Sequence, residues 1–109
     1  MDNLVARLER LEYYQQLLIN MVPENGHEFD QLIIRKNLDE KEVKAFYALC
    51  EEMSMKVEEE KAAQFVFHAP LFKDFLSQLN PKLNIEEVID ACERQKLFLD
   101  LMKVLQKNM

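Results

Sequence analysis

Few side chains in this sequence could carry chemistry. His27-Glu28 with Asp30 is the densest group of potential metal ligands, and His68 is the other imidazole. A closed zinc site needs about four nitrogen, sulfur or carboxylate ligands converging on one point. The chain has no HExxH, no CxxC and no pair of histidines at helical spacing. His27 therefore reads as a surface or capping group near a helix start, and no metal is expected. His68 sits between Phe67 and Ala69-Pro70, in an aromatic stretch that includes Phe65, Phe72 and Phe75. Two readings of that corner stand side by side. One is a ligand pocket with a titrating base, built on His68, Phe65 and Phe72. The other, which we favour, is a half-buried histidine among rings that fill the core.

The nucleophiles are as sparse. Cys50 or Cys92 with His68 would make a nucleophile and base, but nothing in the sequence places them together. Ser54 and Ser77 are the only hydroxyls besides three tyrosines, and neither lies in a GxSxG turn. The single glycine, Gly26, leaves no glycine-rich loop for phosphate. The expectation is a protein without catalytic residues and without a cofactor.

Composition points to helices that pack. Hydrophobic residues make up 49% and charged residues 31% of 109 residues, enough apolar surface for one domain with one core. Sixteen leucines and fourteen glutamates stand against one glycine and three prolines, with no tryptophan and no threonine. Leucine and glutamate lose little side-chain freedom in a helix. The net charge of −6 and pI near 4.9 oppose contact with phosphate backbones and anionic lipids, and Arg35-Lys36 is a lone basic pair, so no nucleic-acid partner is expected. No apolar run reaches the ~20 residues of a membrane span. Charges at Asp2, Arg7, Glu9, Arg10 and Glu12 interrupt the place where a signal peptide would be apolar. We expect a cytoplasmic protein without membrane contact, with Cys50 and Cys92 as small buried hydrophobes.

The elements that would hold these residues are readable from spacing. From Asp2 to Val22, Leu4, Leu8, Leu11, Gln15, Leu18 and Val22 alternate by four and three, the seam of a helix that packs lengthwise on another. Val5, Tyr14, Leu17, Ile19 and Met21 widen it. Pro23 ends the helix and Glu24-Asn25-Gly26 is loop. A short helix follows over 27–37, which Asn37 can end. Asp39 with Glu42 three residues on forms a capping box, opening a helix that runs to about Gln64 with Val43, Phe46, Tyr47, Cys50, Met53 and Val57 on one face. Glu51-Glu52 and Glu58-Glu59-Glu60 form its solvated side. Phe65-Val66-Phe67 reads as a buried corner. Pro70 starts a fourth helix that Asn80-Pro81 stops. Asn84 with Glu87 is a second capping-box candidate, and the apolar pattern changes phase near Arg94 to Lys96, which implies a break or a bend.

The runs RLERLEYYQQLL (Arg7 to Leu18), KAAQFVF (Lys61 to Phe67) and QLNPKLNIEEVIDACERQKLFLDLM (Gln78 to Met102) resemble the YhaI-like family of small proteins from spore-forming Gram-positive bacteria. The resemblance covers nearly the whole chain and rests on apolar and capping positions. It implies a multihelical, self-associating cytosolic protein with no assigned catalytic residues.

The expectation is therefore an all-α, multihelical bundle of five or six helices in one domain, 1–109, with residues 1–22 as an oligomerisation helix on a helical body spanning 27–109. The function expected is that of a homo-oligomer, a dimer or trimer, acting in protein interaction or scaffolding. The alternative is a small-molecule or metal binder at the aromatic corner around His68.

Overall fold

A computed structural model of the chain describes residues 3–23, 26–62 and 69–109. Among them are six helices and no strand: α1 (Leu4–Met21), α2 (Glu28–Arg35), α3 (Glu40–Ala62), α4 (Ala69–Gln78), α5 (Ile85–Gln95) and α6 (Leu99–Lys107). The architecture is an all-α multihelical bundle. The Phe65-Val66-Phe67 corner lies outside the described residues.

Helices α2 and α5 run antiparallel and are held at both ends. At one end the side-chain oxygen of Gln95, the last residue of α5, accepts the Phe29 and Asp30 N–H groups at 2.8 and 3.2 Å. No side chain of the α2 boundary caps those amides, so the orphan donors of a helix start are satisfied from another helix. Gln95 also donates to the Asp30 carboxylate at 3.3 Å. At the other end Lys36 pairs with Glu87 at 3.3 Å.

Helix α3 begins as its sequence specifies. Glu42 N–H donates to Asp39 at 2.8 Å and the Glu42 carboxylate accepts the Asp39 N–H at 3.1 Å, a complete capping box. That carboxylate reaches further. It accepts Lys82 Nζ at 2.9 Å and Asn80 Nδ2 at 2.6 Å, while Lys82 Nζ also donates to the Asn37 carbonyl at 3.2 Å. One carboxylate thus ties the α2–α3 turn to the α4–α5 loop, and these donors hold its pKa at about 2 instead of 4.5. At α5 only half of the expected box forms. Asn84 accepts the Glu86 and Glu87 N–H groups at 2.8 and 3.3 Å, but the Glu87 carboxylate pairs with Lys36.

The phase change near Lys96 is a clean break. Lys96 is left-handed, at φ 61°; Leu97 N–H donates to the Cys92 carbonyl at 2.8 Å and Lys96 N–H to Glu93 at 3.2 Å. These are the two bonds of a Schellman motif, built here without glycine. Helix α2 ends the same way on Asn37, at φ 58°, with Leu38 N–H donating to Ile33 at 3.1 Å and Asn37 N–H to Ile34 at 3.3 Å. Phe98, also left-handed at φ 49°, then turns the chain into α6.

The body closes around Phe29, Met53, Phe75, Val88, Leu101 and Leu105, each under 2% exposed. Phe29 stacks on Phe46 with ring centroids 4.9 Å apart, and Tyr47 meets both rings edge-on. Phe98 completes this cluster against Tyr47 at 6.0 Å. Leu71 and Phe75 are the buried part of α4, and Lys56 clamps that helix to α3 through Asp74 at 3.2 Å.

Two outcomes follow from these contacts. Lys96→Gly removes left-handed strain of about 1–2 kcal/mol and gives back about 0.5–1 kcal/mol to the unfolded chain. Thermal unfolding of that variant should show Tm raised by about 2–4 °C. Folding favours the charged form of Glu42, so its contribution is complete above its ordinary pKa of 4.5 and is lost as pH falls toward 2. In denaturant titrations the stability gap between wild type and Glu42→Gln should hold constant above about pH 5 and narrow below it.

Candidate self-association surface

Helix α1 forms from its own sequence but adds no residue to the core of the body. Asn3 caps it, its side chain accepting the Ala6 N–H at 2.7 Å, and Val22 turns extended before Pro23, with ψ 134°. It has no acidic residue in its first turn and no basic residue in its last, so its dipole gains nothing from its ends. No residue of α1 is buried. Leu4, Leu11, Leu18 and Met21 are 61–73% exposed, and Leu8 is 49% exposed. Gln15 is exposed within the same seam and Val22 is half-buried. The structure therefore keeps all six seam positions, Leu4, Leu8, Leu11, Gln15, Leu18 and Val22, out of the core.

The molecule's dimensions record this. Its radius of gyration is 17.1 Å, with extents of 65 × 25 × 19 Å, whereas a compact chain of this length has a radius of about 13 Å. Among the described residues, one flank of α1 faces the body. There Glu12, Gln16 and Ile19, with Gln15 at the edge, line an open cleft of about 500 Å³ against Ile34 and Arg35 at the end of α2. Spacing identified Ile19 as part of a widened apolar face; the polar residues of that flank, Glu12 and Gln16, carried no signal because each is ordinary for a solvated helix.

The residues with chemical potential are occupied structurally. His27 Nδ1 lies 3.5 Å from Asp30, and the Glu28 carboxylate accepts the Gly26 N–H at 3.0 and 3.2 Å. The group assembles the start of α2, and among the described residues no three His, Cys, Asp or Glu side chains converge on a metal position. Cys50 and Cys92 are free thiols, completely buried. Desolvation pushes the Cys50 thiol far up, reinforced by Cys92, and pushes Cys92 up to about 12, so neither forms a thiolate near neutrality. Ser77 Oγ donates to the Asp74 carbonyl at 2.7 Å, and Ser54 lines an open cleft with Val57 and Phe98. Of the candidate ligand corner, His68 and Phe65 lie outside the described residues, and Phe72 is half-buried against the core. The acidic side of α3 is partly balanced by its own lysines, Lys56 with Glu52 at 3.8 Å and Lys61 with Glu58 at 3.7 Å.

A family model described as "Protein of unknown function (DUF1878)" matches residues 1–109, the whole chain. The chain belongs to the DUF1878 family. The match spans α1 and the body together, so the exposed helix lies within the family's own extent. No helix among the described residues of this DUF1878 protein is long and apolar enough to cross a membrane.

The two classes of leucine should separate in stability measurements. Leu101→Ala opens a cavity in the core and should cost about 2–5 kcal/mol. Leu4→Ala, measured by chemical unfolding at a concentration low enough to keep the chain monomeric, should change stability by less than about 0.5 kcal/mol.

Proposed function

We propose that this DUF1878 protein is a non-enzymatic, cytosolic homo-oligomer, a dimer or trimer joined through α1, that serves as an interaction or scaffolding protein and presents its helical body to a protein partner. The observation that carries the proposal is the exposed apolar seam of α1. A leucine side chain moved from water into an interface is worth about 1.5–3 kcal/mol, and most helical stability in proteins comes from packing an apolar face. An 18-residue helix with no buried residue therefore draws its stability from packing outside its own subunit.

The chemistry of the body supports the non-enzymatic part. Among the described residues no polar or charged side chain is buried. Two carboxylates are held below their ordinary values by hydrogen bonds, Glu42 by Lys82 and Asn80 across a helix junction and Asp74 by Gln78 of its own helix and Lys56 of α3. A working acid or base has its pKa moved toward neutrality; these are moved away from it. The resemblance to YhaI-like proteins, which rests partly on the α1 residues themselves, runs in the same direction.

Sedimentation or light scattering at tens of micromolar tests the proposal. The expected mass is two or three times 13.0 kDa. The double variant Leu8→Glu, Leu11→Glu should fall to the monomer mass while its body still unfolds cooperatively. A wild-type chain of 13.0 kDa at that concentration overturns the proposal.

A further inference from the structure

Charges beside the seam of α1 carry orientation. Counted as heptads, Leu8, Gln15 and Val22 are a positions and Leu4, Leu11 and Leu18 are d positions. Arg7, Tyr14 and Met21 then flank the seam at g, and Val5, Glu12 and Ile19 at e. Resting on the self-association reading above, we propose that α1 pairs with α1 of a second copy in parallel and in register.

In a parallel pair each g residue meets the e residue five positions ahead on the other helix. Arg7 of one copy then meets Glu12 of the other, and symmetry makes the contact twice. Both side chains are exposed in the single chain, Glu12 on the rim of the open cleft that Arg35 also lines. Tyr14 meets Ile19, an apolar contact on the same flank. Gln15 faces Gln15 of the second copy, so the one polar layer of the seam pairs amide with amide and fixes register.

The antiparallel pair that overlaps the whole seam has the opposite consequences. Position a faces d, so Gln15 would lie against Leu11 and bury an amide on an apolar side chain, which is unfavourable without a partner. Position e flanks e, so Glu12 would lie beside Glu12, and Arg7 beside Met21. Orientation is chosen by these contacts, because the leucines alone fit both arrangements. The flank of α1 that faces α2 comprises Glu12, Gln16 and Ile19 with Gln15 at its edge; it adjoins the e side of the seam and leaves Leu4, Leu8, Leu11 and Leu18 exposed, so the parallel pair carries two bodies leaving the same end of the pair on opposite sides.

The test uses the full chain with Leu4→Cys; the native thiols at Cys50 and Cys92 are buried. A disulfide needs Cα atoms within about 7 Å. Parallel pairing brings the two introduced cysteines together, whereas the antiparallel pair separates them by about 27 Å along the axis. Mild oxidation should bridge most of the chain. Separately, Arg7→Glu and Glu12→Arg should each weaken association by about tenfold, and the double swap should restore it to within about threefold. An oligomer that does not bridge through Leu4→Cys, and that Glu12→Gln tightens, overturns the parallel arrangement while leaving self-association standing. A wild-type chain that stays monomeric overturns both.

Discussion

The side-chain amide of Gln95 joins the start of α2 to the end of α5 through three hydrogen bonds. It closes the donor-rich start of α2 from the last residue of α5, and the next residue, Lys96, is where the chain turns left-handed. One short segment therefore sets the α2–α5 pairing and the departure of α6 toward α3. The Lys36–Glu87 pair at the far end keeps the two helices antiparallel along their length. Glu42 does the corresponding work on the other side of the body, where three elements meet at one carboxylate.

With α2 to α6 closed on one another, α1 is left over. Its leucines repeat as regularly as the core residues of α3, yet the body offers them no face. The burial of the thiols, the contacts of His27 with Asp30 and of Glu28 with the Gly26 amide, and the ion-paired state of Glu42 and Asp74 all direct the polar chemistry of the body toward holding its elements together. The surface that remains unsatisfied is apolar, elongated and lined by complementary charges at Arg7 and Glu12. In the proposed oligomer a second copy of the same surface meets each of those needs.

How legible these features were depends on the distance over which they act. The capping box at Asp39 and Glu42 spans three residues and was readable in sequence, as were the seam of α1 and the helix-ending Asn37 and Pro23. Asn84 was readable as a cap, but Glu87 has a competitor, Lys36, that lies on another helix and leaves no mark near it in the sequence. Gln95 was invisible for the same reason, because its acceptor role toward Phe29 links positions 66 residues apart. The break at Lys96 showed only as a change of apolar phase. The residue that adopts the left-handed turn is a lysine, and the usual glycine signal is missing. The aromatic grouping of Phe29, Phe46, Tyr47 and Phe98 leaves no local mark because its members come from two helices and a turn.

In the proposed oligomer α1 is stabilised between molecules and not within one. Hydrogen–deuterium exchange of the full chain across a range of protein concentrations tests it most directly. Protection of residues 4–21 should rise steeply with concentration while protection of the Val88, Leu101 and Leu105 amides stays unchanged. Equal protection of α1 at every concentration would place its packing partner within the same chain and rule out the proposed oligomer.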